Sequence, residues 1–496
     1  MGNMIDYVLQ QTENYINLKL KSKRKQIGQF FTSKETAIFM ASLFDIPCKS
    51  DISILDPGSG TGILTAALVE RLQTICCIQT IYITCYESNI ETAEILNTNL
   101  QYIKNNSLKL LEYKIITENY ITSQKDDFNL SFISDINHVK YDLVIGNPPY
   151  QKIPKEAPEA VAMPCICYGV PNMYFLFASM SLFNLRPNGE MVYIIPRSWT
   201  SGAYFGAFRK YFLSEGTLLH IHLFVSRDKV FDNESVLQET IIIKLIKQHD
   251  PVATITVTSS KNNKDFDNLT TLEVPYSIIV SDINKYVFLV TTQYELDTLK
   301  KLNKLEYTLP SIGLKMKTGL TVDFRNRDLL RNIPDNNSVP IFYSQHIQNG
   351  HVIFPVQRDY EYISDEIPGL MQINKNYLFV KRFTSKEEKR RLQSGIYLAN
   401  MLPEYNKIST QNKINFIDYI NGDMLRTETV YGLFVLFNST IYDLYYRIFN
   451  GSTQVNSTEV NYMPMPDMQT INRIGTRLIN ENNLSTMMCD EILEAI

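Results

Sequence analysis

The sequence predicts an α/β protein whose core is an open, mostly parallel sheet wound on both faces by helices. Three stretches carry that reading. Tyr141-Asp142-Leu143-Val144-Ile145-Gly146 is an apolar run that stops at Asn147-Pro148-Pro149-Tyr150, as a buried parallel strand does when prolines end its ladder. Ile52-Ser53-Ile54-Leu55 runs into Asp56-Pro57-Gly58-Ser59-Gly60-Thr61-Gly62, followed by Leu64, Ala67, Leu68 and Leu72 at helical spacing. One crossover later, Ile81 to Tyr86 reads as a second strand with Glu87 at its end. Open α/β sheets hold their ligands past the carboxyl ends of the strands, which is where Asn147, Pro148 and Tyr150 fall.

Taken in order, the chain starts with a mixed polar helix to about Lys25, ending in Lys19, Lys21, Lys23, Arg24 and Lys25. Gly28 to Ser33 follows. Thr32 and Glu35 have the spacing of a capping box, with Ala37, Ile38, Met40, Ala41, Leu43 and Phe44 behind them. A helix amino terminus there favours an anion such as a carboxylate. The glycine loop is G-x-G-x-G, which is neither the dinucleotide spacing nor a phosphate loop; its glycines let backbone approach a nucleotide-type ligand. Glu87 suits the two ribose hydroxyls of a nucleoside. Tyr113 to Thr117 reads as a third strand ending in Glu118-Asn119-Tyr120, a polar side chain and an aromatic for an adenine. Asp127-Phe128 competes for that role, but no good strand precedes it.

Beyond the central motif, Pro171-Asn172-Met173-Tyr174 opens an apolar helix, and Met191 to Ile195 is another buried strand, closed by Pro196 and the single Trp, Trp199. Ile221 to Val225 is a strand in which His222 reads as a satisfied core residue. Phe231 precedes a last strand pair at Val236 to Ile243. The chain turns polar at Ser259 to Lys264, and a domain boundary is expected after it, near residue 285.

The totals narrow the function. A chain of 496 residues has room for two or three domains. A net charge of −4 and a pI near 6.0 exclude a protein coated in basic residues, so a nucleic-acid partner needs a local basic face. Candidates are Lys315, Lys317, Arg325 and Arg327, then Lys381, Arg382, Lys386, Lys389, Arg390 and Arg391, with Gln345, His346, Gln348 and Asn349 as base-edge readers. Pro334-Asp335 with Glu387-Glu388-Lys389 echoes a nuclease pattern, read as coincidence. Seven Cys without a C-x-x-C pair indicate reduced thiols in a cytoplasm and no structural metal.

The tetrapeptide suits an unusual nucleophile. An aromatic exocyclic amine has its lone pair delocalised into the ring, and two acceptors are needed to turn its hydrogens out of the plane. The Asn147 side-chain oxygen and the Pro148 carbonyl supply two, and Tyr150 supplies a stacking face. Asn-Pro-Pro-Tyr is the signature of methyltransferases acting on amino groups conjugated to a π-system. With Gly28-to-Ser33, Asp56-to-Gly62, Glu87, Asn147-to-Tyr150 and Phe231 in that order before a large extra domain, the chain resembles the gamma-class DNA adenine amino-methyltransferases of bacterial restriction–modification systems. The resemblance covers roughly residues 20–250. Pro171-Asn172-Met173-Tyr174 and Leu237-Gln238-Glu239-Thr240 point to the PstI/BsuBI type.

That resemblance implies a seven-stranded, Rossmann-like methyltransferase sheet in residues 1–285 and a mixed α/β target-recognition domain in residues 286–496. It implies S-adenosyl-L-methionine held by Phe30, Thr32, Asp56, Gly58, Gly60, Glu87, Asn119 and Tyr120, with Asn119 standing where the family usually has Asp. The target adenine would be flipped out and held by Asn147, Pro148, Pro149 and Tyr150, with Phe231 across from Tyr150. The implied partners are double-stranded DNA and a cognate restriction endonuclease, for a monomer in a bacterial cytoplasm. Cytosine-N4, RNA and protein-glutamine methylation share the chemistry and remain alternatives. So does a DNA-binding specificity module with a dead catalytic domain, which the intact Glu87 and Asn147-to-Tyr150 oppose.

Overall fold

The computed structural model describes residues 3–18, 32–134, 136, 138–224, 239–385, 387–450 and 454–495. They divide into two compact units. One runs to Thr200 and resumes over Tyr204–Thr292; the other comprises Ser201–Ala203 and Gln293–Ile496.

The first unit is built on β1 (Asp51–Pro57), β2 (Thr80–Tyr86), β3 (Leu110–Ile116), β4 (Tyr141–Gly146), β5 (Leu185–Pro196), β6 (Thr217–Phe224), β7 (Thr240–Ile246), β8 (Thr254–Ser260) and β9 (Thr270–Pro275). They form one sheet in the order β3-β2-β1-β4-β5-β7-β6-β8-β9. The strands from β3 to β5 are parallel; β7 runs antiparallel to both β5 and β6. The strand order reverses between β1 and β4, so the crevice for a ligand opens at their carboxyl ends. All six residues of β4 are buried, which is why that strand reads as one continuous apolar run.

The sheet has two strands more than the seven expected. β8 pairs with β6 in parallel and β9 pairs with β8 antiparallel. In β8 the buried Ile255 and Val257 alternate with Thr254, Thr256 and Thr258. Threonine is β-branched and suits a strand, but its hydroxyls make the stretch look like a polar loop. His222 is fully buried on β6, with Nδ1 2.8 Å from Thr258 Oγ1 and Nε2 3.0 Å from Ser260 Oγ. Burial lowers its pKa to about 3, so it is a neutral core residue.

The helix Lys34–Ser42 is capped by Ser33, whose Oγ accepts from Thr36 N; the expected cap at Thr32 is one residue early. Helix Met173–Asn184 is buried from Tyr174 to Asn184, consistent with its apolar composition on every side. At the amino end of the sheet the buried Asp142 joins three strands. Its carboxylate accepts from Ser53 N and Ser53 Oγ of β1, both at 2.8 Å, and pairs with Lys49 and with Arg186 of β5.

The second unit contains β10 (Leu314–Thr318), β11 (Leu330–Arg331), β12 (Ser338–Phe342), β13 (Ile347–Gln348), β14 (His351–Val352), β15 (Tyr362–Ser364), β16 (Gln372–Ile373), β17 (Tyr377–Lys381), β18 (Ser394–Tyr397), β19 (Lys407–Thr410) and β20 (Ile414–Tyr419). Six form a sheet in the order β10-β20-β17-β18-β14-β13, and five form another, β11-β15-β12-β19-β16. Phe342, Tyr377, Phe379, Tyr397 and Phe416 fill one core. Helices Gln293–Leu302, Thr427–Asn438, Thr440–Phe449, Ser457–Tyr462, Met468–Glu481 and Thr486–Glu494 also belong to the unit.

Several polar residues of this unit have structural partners, against the expectation from sequence. His346 is fully buried and its Nε2 lies 2.9 Å from Glu361 Oε1, so it presents no edge to a base. Arg390 donates to the carbonyls of Phe437 and Ser439 at the end of helix Thr427–Asn438. Arg391 is 1% exposed and donates to Asn450 Oδ1. Gln345, Gln348 and Asn349 are exposed, as are Lys315, Arg325 and Arg327. Lys386 lies outside the described residues.

The Asp142 junction gives a pH-dependent prediction. Burial alone would raise its carboxyl, but Lys49, Ser53 and Arg186 outweigh that and hold it below the usual range. A depressed acid stabilises the fold above its unfolded pKa, near 3.9, and that contribution is lost as pH falls through the lower folded value. Asp142→Asn should therefore cost about 1.5–3 kcal/mol at neutral pH, with the difference from wild type shrinking in acid. Thermal unfolding across the acid range measures this; a difference independent of pH contradicts it.

Candidate active site

The site is assembled at the carboxyl ends of β1 to β4. Past β1, Gly58, Gly60 and Gly62 have φ of 71°, 55° and 90°, a region in which a side chain would be strained. Gly58 N and Ser59 N both donate to Tyr86 O at 2.9 Å, which ties the loop to the end of β2. Gly62 opens helix Ile63–Gln73 without a side-chain cap, which leaves the amides of Ile63 and Leu64 for a ligand, while that of Thr65 faces Asp56.

Glu87 follows β2. Its Oε2 accepts from Gly60 N at 3.0 Å and its Oε1 from Asn89 N at 2.8 Å. Burial raises its pKa, and those two bonds oppose the rise. Asp56 points the other way, into the protein. Its Oδ2 accepts from Thr65 Oγ1 at 2.6 Å, and its Oδ1 is buried with no hydrogen-bond partner.

Past β3, Asn119 Oδ1 accepts from Ile121 N at 3.0 Å and Thr122 N at 3.1 Å, and Nδ2 donates to Glu159 Oε1 at 2.8 Å. Tyr120 is buried, with its ring centroid 4.8 Å from Tyr86 and 5.1 Å from Phe177. Its hydroxyl joins Asn184 Nδ2 at 3.1 Å and Ser181 Oγ at 3.0 Å, and Ser181 in turn meets the Tyr193 hydroxyl at 2.6 Å. The Tyr193 ring packs so close to Gly146 that a Cβ there would meet it at 2.9 Å. Glycine is therefore the residue that lets β4 end beside this network.

Past β4 comes Asn147. Its Nδ2 donates to Thr32 Oγ1 at 3.1 Å, and its Oδ1 accepts from the Tyr150 hydroxyl at 2.9 Å. That hydroxyl also lies 2.9 Å from Ile194 O, and the Tyr150 ring meets Tyr174 edge-on at 6.4 Å. Burial raises the Tyr150 phenol well above its ordinary value, so it is a neutral donor.

These elements enclose a cavity of about 410 Å³, inside the range of small-molecule sites. Of the residues expected from sequence, Thr32, Gly58, Gly60, Glu87, Asn119, Tyr120, Asn147 and Pro149 line it. Asp56, Pro148 and Tyr150 are not among the lining residues, and neither is Asp127. Phe30 and Phe231 lie outside the described residues. Sequence reading missed Gln151, Glu159, Met173 and Phe177. Met173 and Phe177 are four apart on one helix and so share a face, a signal that was available. Glu159, on the short helix Pro158–Ala162, had none.

The chain is similar to known restriction–modification methyltransferases. The Eco57I restriction-modification methylase family model matches residues 53–231. The type II methyltransferase M.PstI of Providencia stuartii is 32% identical, covering 99% of this chain and 96% of its own. The type II methyltransferase M.BsuBI of Bacillus subtilis is 32% identical over 97% of this chain and 96% of its own. Among solved structures, the type IIL restriction-modification enzyme MmeI in complex with DNA aligns with a TM-score of 0.55 at 10% identity, covering 100% of this chain and 74% of that one; the likeness is one of fold.

Asp56 yields a second pH prediction. Burial pushes it up to about 7, against the Thr65 hydrogen bond and with the Glu87 charge adding to the rise. The folded protein thus keeps a proton that the unfolded chain releases near pH 3.9, and this carboxyl destabilises the fold increasingly as pH rises from about 4 to about 7. Asp56→Asn removes that decline. Without cofactor, its unfolding midpoint should gain on wild type as pH rises from about 4 to about 7; parallel profiles contradict the assignment.

Proposed function

The chain belongs to the type II methyltransferases of restriction–modification systems, and we propose that it methylates the N6 amino group of an adenine extruded from double-stranded DNA. The methyl donor is S-adenosyl-L-methionine. The observation that carries the reading is the Asn147 amide. It lines the cavity while Thr32 and Tyr150 hold it from two sides.

The residues present fit the donor. Glu87, oriented by two backbone N–H groups, suits ribose hydroxyls. Tyr120 and Phe177 suit an adenine ring, and the glycine loop with the uncapped helix behind it suits a carboxylate. When bound, the sulfonium supplies an electrophilic methyl group. This chain's part is to place the nucleophile. Asn147 Oδ1 and the Pro148 carbonyl each accept one hydrogen of the amine, which turns the nitrogen lone pair out of the ring plane. Tyr150, backed by Tyr174 and fixed through its hydroxyl, is a rigid face for stacking the base. The methylated amine releases its proton to water, so no strong base is required. Catalysis is then positioning and electrostatics, after the base has left the duplex.

Target choice is proposed for the second unit. Its exposed Gln345, Gln348 and Asn349 are side chains that read base edges, and its exposed Lys315, Arg325 and Arg327 suit phosphates. The protein would work as a monomer in the bacterial cytoplasm, protecting sites that a cognate endonuclease cuts. No described helix is long and apolar enough to cross a membrane.

Two variants test the division of roles. Asn147→Ala should lower methyl transfer by at least about 100-fold, the scale on which losing one reacting-centre hydrogen bond acts, with the cofactor Kd little changed. Glu87→Ala should instead weaken cofactor binding by about 10- to 100-fold and leave DNA affinity alone. Calorimetry beside a labelled-methyl assay separates them. Full activity in the first, or an unchanged cofactor Kd in the second, refutes the respective role.

A further inference from the structure

We propose that Glu159, rather than Asn119, accepts the hydrogen bond from the adenine amine of the bound cofactor; the inference rests on the cofactor reading given above. A ring edge carrying an exocyclic amine must meet an acceptor. Asn119 is the side chain that its place after β3 nominates, but both lone pairs of its Oδ1 are engaged by Ile121 N and Thr122 N. Its amide cannot be reversed, because Nδ2 would then face those two N–H donors. In the orientation it holds, Asn119 offers only N–H groups to its surroundings, and one of them goes to Glu159 Oε1 at 2.8 Å.

Glu159 is different. It lines the same cavity wall as Asn119, Tyr120 and Phe177, and its second oxygen makes no hydrogen bond to the described residues. A carboxylate is all acceptor, so while Oε1 takes the Asn119 N–H, Oε2 can take the amine. The pairing also explains why residue 119 is Asn. An Asp there would set two carboxylates against each other at the 2.8 Å contact, and like charges that close do not both stay ionised. The negative group that faces the adenine has moved from the end of β3 to the helix Pro158–Ala162, and the amide at 119 holds it in place.

The test compares S-adenosylhomocysteine with S-inosylhomocysteine, in which a ring carbonyl replaces the amine. Binding of each is measured by calorimetry to the full chain. Wild type should prefer the adenine form by about 10- to 100-fold, the usual span for one hydrogen bond to a charged acceptor. In Glu159→Gln the oxygen stays with Asn119 and an N–H turns to the ring, so the preference should vanish or invert toward the inosine form. Glu159→Ala should bring the ratio near one. Glu118→Gln, on the same wall but exposed, should keep the wild-type ratio. Because each ratio is taken within one variant, a general loss of folding does not imitate the result. A wild-type preference retained in both Glu159 variants, or lost in Glu118→Gln, overturns the inference while the cofactor reading stands. If wild type binds neither compound, the cofactor reading itself fails.

Discussion

The site depends on where β4 stops. Pro148 and Pro149 cannot donate to a ladder, so the chain must leave the sheet at Asn147, between β1 and β5. The parallel run from β3 to β5 brings the other parts to the same edge: the glycine loop after β1, Glu87 after β2, Asn119 and Tyr120 after β3. Asn147 is then fixed by groups far away in sequence, Thr32 before the first strand and the Tyr150 hydroxyl, itself bonded to Ile194 of β5. A side chain held from two sides keeps its acceptor in one place, which is what a reaction governed by positioning requires.

Much of this was legible from local pattern. Buried parallel strands are continuous apolar runs, and β1, β2, β4 and β5 could be placed from them. The glycine loop, Glu87 and Asn147 follow from where those runs end. What was not legible depends on partners distant in sequence. Glu159 acquires its place only when the segment after the tetrapeptide folds back onto Asn119. Thr32 had the spacing of a cap, yet Ser33 caps the helix, and Thr32 serves Asn147. β8 was hidden because threonines alternate with its apolar residues. Asp56 shows the reverse error of emphasis: the residue that opens the loop motif lies behind the cavity wall, and its carboxyl bonds Thr65.

The second unit shows why counting cations misleads. Arg390 and Arg391 stand in a strongly basic stretch, yet one satisfies helix-end carbonyls and the other is almost wholly buried. Guanidinium groups meet carbonyls and carboxylates inside a protein as well as phosphates outside it, and sequence alone does not separate the two uses. His346 makes the same point for a base-edge donor: its bond to Glu361 holds the segment Val356–Gln357 as well, since Glu361 also accepts from both of their amides. The exposed Gln345, Gln348 and Asn349 are what remains of the expected reading surface.

The central claim is the identity of the methylated atom, and one measurement addresses it directly. Duplex DNA is incubated with the protein and labelled S-adenosyl-L-methionine, digested to nucleosides and analysed by mass spectrometry, with the modified positions mapped by strand. The account predicts N6-methyladenine at a single recurring sequence. N4-methylcytosine in its place, or label found on RNA or on protein glutamine while the DNA stays unmodified, would contradict it.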